Sequence, residues 1–245
     1  MPKINFVEEY PKAQKFLVEN TDHVLLNAFR RIIGYNLSTY AIDEISVTEN
    51  DSVAFDEFIA NRIGMIPIIT PKENTGKKVT FSLEKEGPCT VYSKDLISDD
   101  KEVEVKYDTI PITKLAENQK LYLEGYANLG IGSTHTKFMP AIVGYQQITN
   151  INVLKGCQSC EACLNACPNK NIKMVSNKPK IIEANKCTSC RACVDACPKD
   201  CLAMEDTNDY YLTIETIGQS SIEDLLHMTQ RYTKEYFSLL KKKLK

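Results

Sequence analysis

The chain has 245 residues, 43% hydrophobic and 25% charged, the balance of an ordinary globular protein. With 30 Lys and Arg against 32 Asp and Glu the formal net charge is −2, too little basic excess to grip a nucleic-acid backbone unaided. No membrane span is expected, because the most apolar stretch, Ile63 to Ile69, is short and interrupted by Gly64 and Pro67. The charged start, MPKINFVEEYPKAQ, lacks the apolar core of a signal peptide, so secretion is not expected either.

Residues 3–20, KINFVEEYPKAQKFLVEN, alternate as a β-hairpin with Pro11 in its turn. A helix follows, opened by Thr21 or Asp22 as N-cap and running to about Thr39. Its apolar positions, Leu25, Leu26, Ala28, Phe29, Ile32, Ile33 and Leu37, make a band wider than one core-facing stripe. Such a helix either packs one side on its own sheet and the other on a partner, or is wholly internal. Ala41 to Thr48 reads as a strand. Residues 53–152 are β-rich, with strands expected at KKVTFSLE, CTVYS, EVEVKY and LYLEGYANLG, and Asn61 to Ile68 reads as a helix end entering a loop. Residues 210–218, YYLTIETIG, alternate as another strand. Ser221 begins a last helix, in which Ile222, Leu225, Leu226, Tyr232, Tyr236, Leu239 and Leu240 recur at helical steps. The closing lysines, 241–243 and 245, form a solvated end that complements the helix dipole.

Ten cysteines are the compositional anomaly, and eight of them form an internal duplication. They read Cys157-x2-Cys160-x2-Cys163-x3-Cys167-Pro168 and, thirty residues later, Cys187-x2-Cys190-x2-Cys193-x3-Cys197-Pro198. This is the bacterial-type ferredoxin spacing, where three close thiolates hold three irons of a cubane and the fourth ligand comes from the other half. Two [4Fe–4S] clusters are therefore expected, the first on Cys157, Cys160, Cys163 and Cys197. The second falls to Cys187, Cys190, Cys193 and Cys167. A disulfide framework suits a secreted mini-protein, and zinc prefers paired Cys-x2-Cys units without the third and fourth Cys of each half. Clusters of this kind imply a reducing setting, and the cytoplasm is the expected location. Cys201 stands at the duplicate position of Asn171 and is expected to be a spare thiol packed beside the cluster, the alternative being a replacement ligand. Cys89 reads as a half-buried strand residue. His23, His135 and His227 show no metal-ligand spacing. No phosphate loop, HExxH, GxSxG or tight Asp run is present, so no catalytic residue is assigned.

Other segments carry a family resemblance. Asn27-Ala28-Phe29-Arg30-Arg31-Ile32-Ile33, followed by Ala41-Ile42-Asp43-Glu44-Ile45, resembles the alpha motif of DNA-dependent RNA polymerase assembly subunits. Phe55 to Ile68, ending Asn61-Arg62-Ile63-Gly64-Met65-Ile66-Pro67-Ile68, is similar to the family segment that usually ends HRLGLIPL. His135 to Ala141 resembles its later HAKWSP-type stretch. Departures are small: Phe29 replaces the usual Leu, Asn61 replaces His, and Ser133-Thr134 replace a more charged pair. With the ferredoxin insert, the resemblance points to the alpha-like, D-type assembly subunits of archaeal RNA polymerase, counterparts of the third subunit of eukaryotic polymerase II.

The resemblance implies an α+β fold: an alpha-like dimerisation domain (1–52 plus 208–245) interrupted by a β-rich insert domain (53–152) and a ferredoxin-like domain (153–207). It implies pairing with subunit L as a heterodimer, and docking of subunits N and P and of the large catalytic subunit (B). Partner contacts are expected at Leu25, Phe29, Arg30, Arg31, Ile32, Leu225, Leu226, Tyr232 and Tyr236, with Arg30 and Arg31 facing the large subunit. No direct sequence-specific DNA binding is expected. The function implied is a non-catalytic assembly subunit of a nucleotidyltransferase complex. The alternative is a ferredoxin-type electron carrier or oxidoreductase subunit. Polymerase-like segments on both sides of the clusters, and no flavin, haem or nucleotide motif, favour the first.

Overall fold

Tyr10 and Ala13 exchange backbone hydrogen bonds of 2.8 and 3.3 Å across Pro11, closing a hairpin of β1 (Lys3–Glu9) and β2 (Ala13–Glu19). The structure, a computed structural model, describes residues 2–73 and 76–244; Lys245, the last closing lysine, lies outside the described residues. Asp22 caps α1 (His23–Arg31), its carboxylate accepting from the Leu25 amide at 2.7 Å. A π-helical turn, Ile32–Asn36, then ends the helix short of the expected Thr39. Ser38 and Thr39 already belong to β3 (Ser38–Asn50), whose ladder with a later strand competes successfully for their backbone groups. The remaining elements are α2 (Asp56–Gly64), β4 (Val79–Glu86), β5 (Cys89–Tyr92), β6 (Ile97–Ser98), β7 (Pro111–Leu115), β8 (Lys120–Ile131) and β9 (Ala141–Val153). After them come α3 (Ala162–Ala166), β10 (Ile172–Val175), β11 (Lys178–Ile181), α4 (Ala192–Asp195), β12 (Leu202–Thr216) and α5 (Ile222–Lys243). The architecture is α+β.

The chain divides into two compact units. One comprises Glu9–Gln14, Ala28–Val143 and Ile214–Lys245. Its main sheet is antiparallel, in the order β3-β8-β4-β6, with β5 and β7 paired separately. Along β4, Val79, Phe81 and Leu83 turn inward while Thr80, Ser82 and Glu84 turn outward, the period-two pattern of a half-buried strand. They meet Leu121, Leu123 and Ala127 of β8 and Ile59 and Ile63 of α2 in one core. Gly64 lets α2 lie close on β3: a Cβ there would stand 3.3 Å from the Ile42 carbonyl oxygen. The expected EVEVKY strand does not form a ladder. Val105 makes a single bridge to Ile68, and Lys106 donates to the Pro67 carbonyl at 2.9 Å; Pro67 has no N–H to return. Phe81 is fully buried, so Phe81→Ala should cost this unit about 3–5 kcal/mol. Hydrogen exchange of the β4 and β8 amides checks this, and a change below about 1 kcal/mol would deny Phe81 its core role.

In the same unit, Ser221 caps α5, accepting from the Asp224 amide at 3.1 Å. Ile222, Leu225, Met228 and Thr229 are buried; beyond Thr229 no described residue of the helix is.

The other unit comprises Met1–Glu8, Lys15–Asn27 and Gly144–Thr213. Its sheet runs in the order β1-β2-β12-β9, and β10 and β11 form a separate hairpin. β12 extends the expected strand back to Leu202, and β9 lies where the residue pattern alone signals no strand. The core of this unit is unusual. One cluster within it has Cys163, Ile172, Cys193, Cys197, Cys201 and Leu202 as its buried members, four thiols to two aliphatic side chains, while Val18, Leu26, Tyr210 and Leu212 are buried outside that cluster. Among the described residues no helix is long and apolar enough to cross a membrane.

Candidate metal centre

The duplicated cysteine loops fold as duplicated structures. Ser159, Glu161 and Lys170 hold positive φ (54°, 59° and 49°), and thirty residues later Ser189, Arg191 and Asp200 do the same (54°, 65° and 47°). Left-handed backbone at non-glycine residues costs of order 1 kcal/mol each and persists where something else demands it. At Ser159 and Glu161, and again at Ser189 and Arg191, it turns each Cys-x2-Cys loop before α3 or α4 begins, and Lys170 and Asp200 follow those helices.

The curl brings together the cysteines that the spacing paired across the duplication. Cys157, Cys160, Cys163 and Cys197 line one cavity, whose other walls include Met174, Pro179, Pro198 and Leu202. Cys167, Cys187, Cys190 and Cys193 line a second cavity, with Ile151, Ile172, Ile181 and Met204. In each, the Cys-Pro residue comes from the opposite half. All ten cysteines are free of disulfides. Cys163, Cys193, Cys197 and Cys201 are buried, Cys160 and Cys190 exposed, and the rest half-buried.

Backbone amides are aimed at the sulfurs. Asn171 N lies 3.3 Å from Cys167 Sγ. In the matching position of the other half, the Cys201 amide, with that of Lys199, holds the Cys197 thiol below its ordinary range. Burial pushes the Cys163 and Cys193 thiols up, opposed by amide donors from Cys163 and Leu164 and from Cys193 and Val194. Four soft sulfurs in a mostly apolar cavity, with N–H groups to share the negative charge, match the donor set of an iron–sulfur cluster. No three His, Cys, Asp or Glu groups among the described residues converge on a point fit for one metal ion. The thiols surround volumes instead.

Sequence pattern missed part of the surround. Gln146 donates its side-chain amide to the Cys187 carbonyl, and Thr149 Oγ1 stands 3.0 Å from Ser189 Oγ. Both sit on β9, where the residue pattern signals no strand. Cys201, expected as a spare thiol, is buried with its Sγ 3.4 Å from Cys197 Sγ. Its own ionisation is pushed up to about 11, first by the hydrogen bond with Cys197. Cys89 is half-buried on β5. His135 accepts from the Lys137 amide, and His227 lies 3.9 Å from Glu223 on α5.

The expected partner-contact residues separate by burial. Leu25, Arg31 and Tyr236 are exposed, while Phe29, Arg30, Ile32, Leu226 and Tyr232 are half-buried. Leu225 is fully buried within the chain and belongs to its core, where no partner reaches it.

Two family models match. Residues 42–143 match the RNA polymerase Rpb3/RpoA insert domain, and residues 149–210 match a 4Fe-4S dicluster domain. Among similar proteins is a DNA-directed RNA polymerase subunit Rpo3 from Archaeoglobus fulgidus, 35% identical over 92% of this chain and 91% of its own length. The protein of that name from Pyrococcus horikoshii is 36% identical, covering 94% and 93%. A third, from Thermococcus kodakarensis, is 44% identical over 63% of each chain.

Proposed function

The chain belongs to the family of DNA-directed RNA polymerase subunit Rpo3, and from that premise we propose a detailed role for it. It is a non-catalytic assembly subunit of DNA-directed RNA polymerase in the cytoplasm, pairing with small subunit L to form a platform. Subunits N and P and the large catalytic subunit (B) dock on that platform. Residues 1–52 plus 208–245 serve dimerisation, residues 53–152 form the insert, and residues 153–207 hold iron and sulfur.

The observation that carries the pairing is the far half of α5. Residues 230–243 have no buried side chain, yet present Tyr236 (51% exposed), Phe237 (63%) and Leu239 (56%). A segment of that length spans about 21 Å, and an isolated helix so short is marginal in water. A partner helix laid along this face supplies the missing burial. The end of α1, where Arg30 and Arg31 complement the dipole, extends the set of contacts, and half-exposed Leu25 is proposed as a partner contact in its own unit.

The iron–sulfur sites are assigned by the crossed sets: Cys157, Cys160, Cys163 and Cys197 for one [4Fe–4S] cluster, Cys167, Cys187, Cys190 and Cys193 for the other. When bound, each cluster supplies metal–thiolate bonds that tie one half of the duplication to the other. The chain's own residues do the rest: amides of Asn171, Lys199 and Cys201 hold negative charge on Cys167 and Cys197, and Met174, Met204, Ile151 and Ile172 limit water. This role is structural: polymerase-like segments flank the cysteine sets on both sides, and the sequence carries no flavin, haem or nucleotide motif to serve as a redox partner.

Tagging the full chain and purifying it anaerobically tests the assignment. The large polymerase subunits and a small L-type subunit should co-purify in near-equal amounts. A free chain that instead exchanges electrons rapidly with a reductase would overturn it.

A further inference from the structure

We propose that Cys201 is a reserve ligand of the first iron–sulfur site, able to replace Cys197, and that the second site has no such reserve. This rests on the reading that the crossed thiol sets hold [4Fe–4S] clusters.

The first cavity is lined by five cysteines, the second by four. The fifth is Cys201, buried, with its Sγ 3.4 Å from Cys197 Sγ and facing the same space as Cys157, Cys160 and Cys163. A thiol this close reaches the iron served by Cys197 through a small side-chain and backbone adjustment. Its backbone is anchored independently of Cys197's ligation, because the Cys201 carbonyl accepts from the Leu154 amide at 2.8 Å where β12 begins. Loss of the Cys197 sulfur therefore leaves the fifth sulfur in place.

The second site lacks this. Asn171 occupies the duplicate position, and its side chain is committed to the Glu183 backbone in both directions. Asn171 Nδ2 donates to the Glu183 carbonyl at 2.6 Å, and Oδ1 accepts from the Glu183 amide at 3.0 Å. A hard amide oxygen already used in this way offers no thiolate to iron. The exchange at the first site is a simple ligand substitution. One iron–sulfur bond forms at Cys201 Sγ in place of the one lost at Cys197, the thiol proton passes to buffer, and no electron is transferred.

The test compares full-length chains, purified anaerobically, by iron and sulfide per folded monomer and by electron paramagnetic resonance of the reduced protein. Wild type should hold about eight irons, following two cubanes. Cys197→Ser should stay near eight irons with an altered spectrum, whereas Cys197→Ser/Cys201→Ser and Cys167→Ser should each fall to about four. Cys197→Ser falling as far as the double variant would overturn the reserve role. Wild type without labile sulfide would instead overturn the cluster reading beneath it. The converse graft tests the same geometry without touching Cys197, should that variant aggregate. Cys167→Ser/Asn171→Cys should regain iron lost in Cys167→Ser, and a folded graft with no gain also overturns the proposal.

Discussion

Tyr236→Asp and Leu239→Asp should each weaken pairing with subunit L more than a hundredfold while leaving the chain folded. Both side chains are more than half exposed on a helix segment that makes no buried contact of its own, so the change adds little strain to the free chain. In the pairing proposed here the same side chains become buried against an apolar partner face. A carboxylate taken out of water there, with no cation to meet it, costs several kcal/mol. About 3 kcal/mol already exceeds a factor of a hundred in the dissociation constant. The stacked rings of Tyr232 and Tyr236, 6.2 Å apart, mark the same stripe, and its helical spacing makes neighbouring substitutions report on one interface. Calorimetric titration of the purified chain with L measures the effect, and unchanged circular dichroism confirms the fold. Affinities within tenfold of wild type for both variants would remove the far half of α5 from the interface.

The parts of the molecule that were legible in sequence are those where chemistry or local periodicity fixes residue identity. Thiolate ligation demands Cys at set spacings, so the two cysteine sets could be read off directly, and the structure gathers each set around one cavity. The helical steps of α5 and the alternation of β1, β2, β4 and β8 are equally local. What escaped depends on distant partners. β9 reads as polar because Gln146, Gln147 and Asn152 lie in it, yet these side chains bond to Cys187 O, Thr207 O and Glu205 respectively. The β10–β11 hairpin turns through Ser176 and Asn177, both at positive φ, where a readable turn would carry Asn-Gly. The end of α1 is set by the β3–β8 ladder, which takes Ser38 and Thr39 from a helix that their own neighbours would have continued. The surplus Cys201 was visible as a departure from the duplication, but only its distance to Cys197 distinguishes a neighbour of the site from a bystander.

Removing iron should unfold the cysteine-rich region while the β3-β8-β4-β6 sheet stays intact. The buried core around the cavities consists of four thiols, Ile172 and Leu202, with only partly buried aliphatics such as Ile151, Val153 and Val194 around them. Without metal bonds, that core offers two fully buried aliphatic side chains, worth about 1.5–3 kcal/mol each. Ordering a single residue costs about 1–2 kcal/mol, so the loops at residues 157–201 have no means of staying folded on apolar burial alone. The other unit has a conventional aliphatic core around Phe81, Leu83, Ile59 and Leu121 and does not face this deficit. Hydrogen exchange before and after anaerobic chelation should therefore show protection collapsing in α3, α4, β10 and β11 and surviving in β4 and β8. Pairing with L through α5 should persist, since that helix is anchored by Ile222, Leu225 and Met228 in the unit that keeps its core. In the assembly proposed here the cysteine-rich region adds to the docking platform, so recovery of complete polymerase should fall. Assembly should then be oxygen-sensitive without electron transfer in transcription. Undiminished protection at residues 157–201 after iron removal would show that the thiol-lined core holds unaided, and equal recovery of whole enzyme would leave the iron sites without an assembly role.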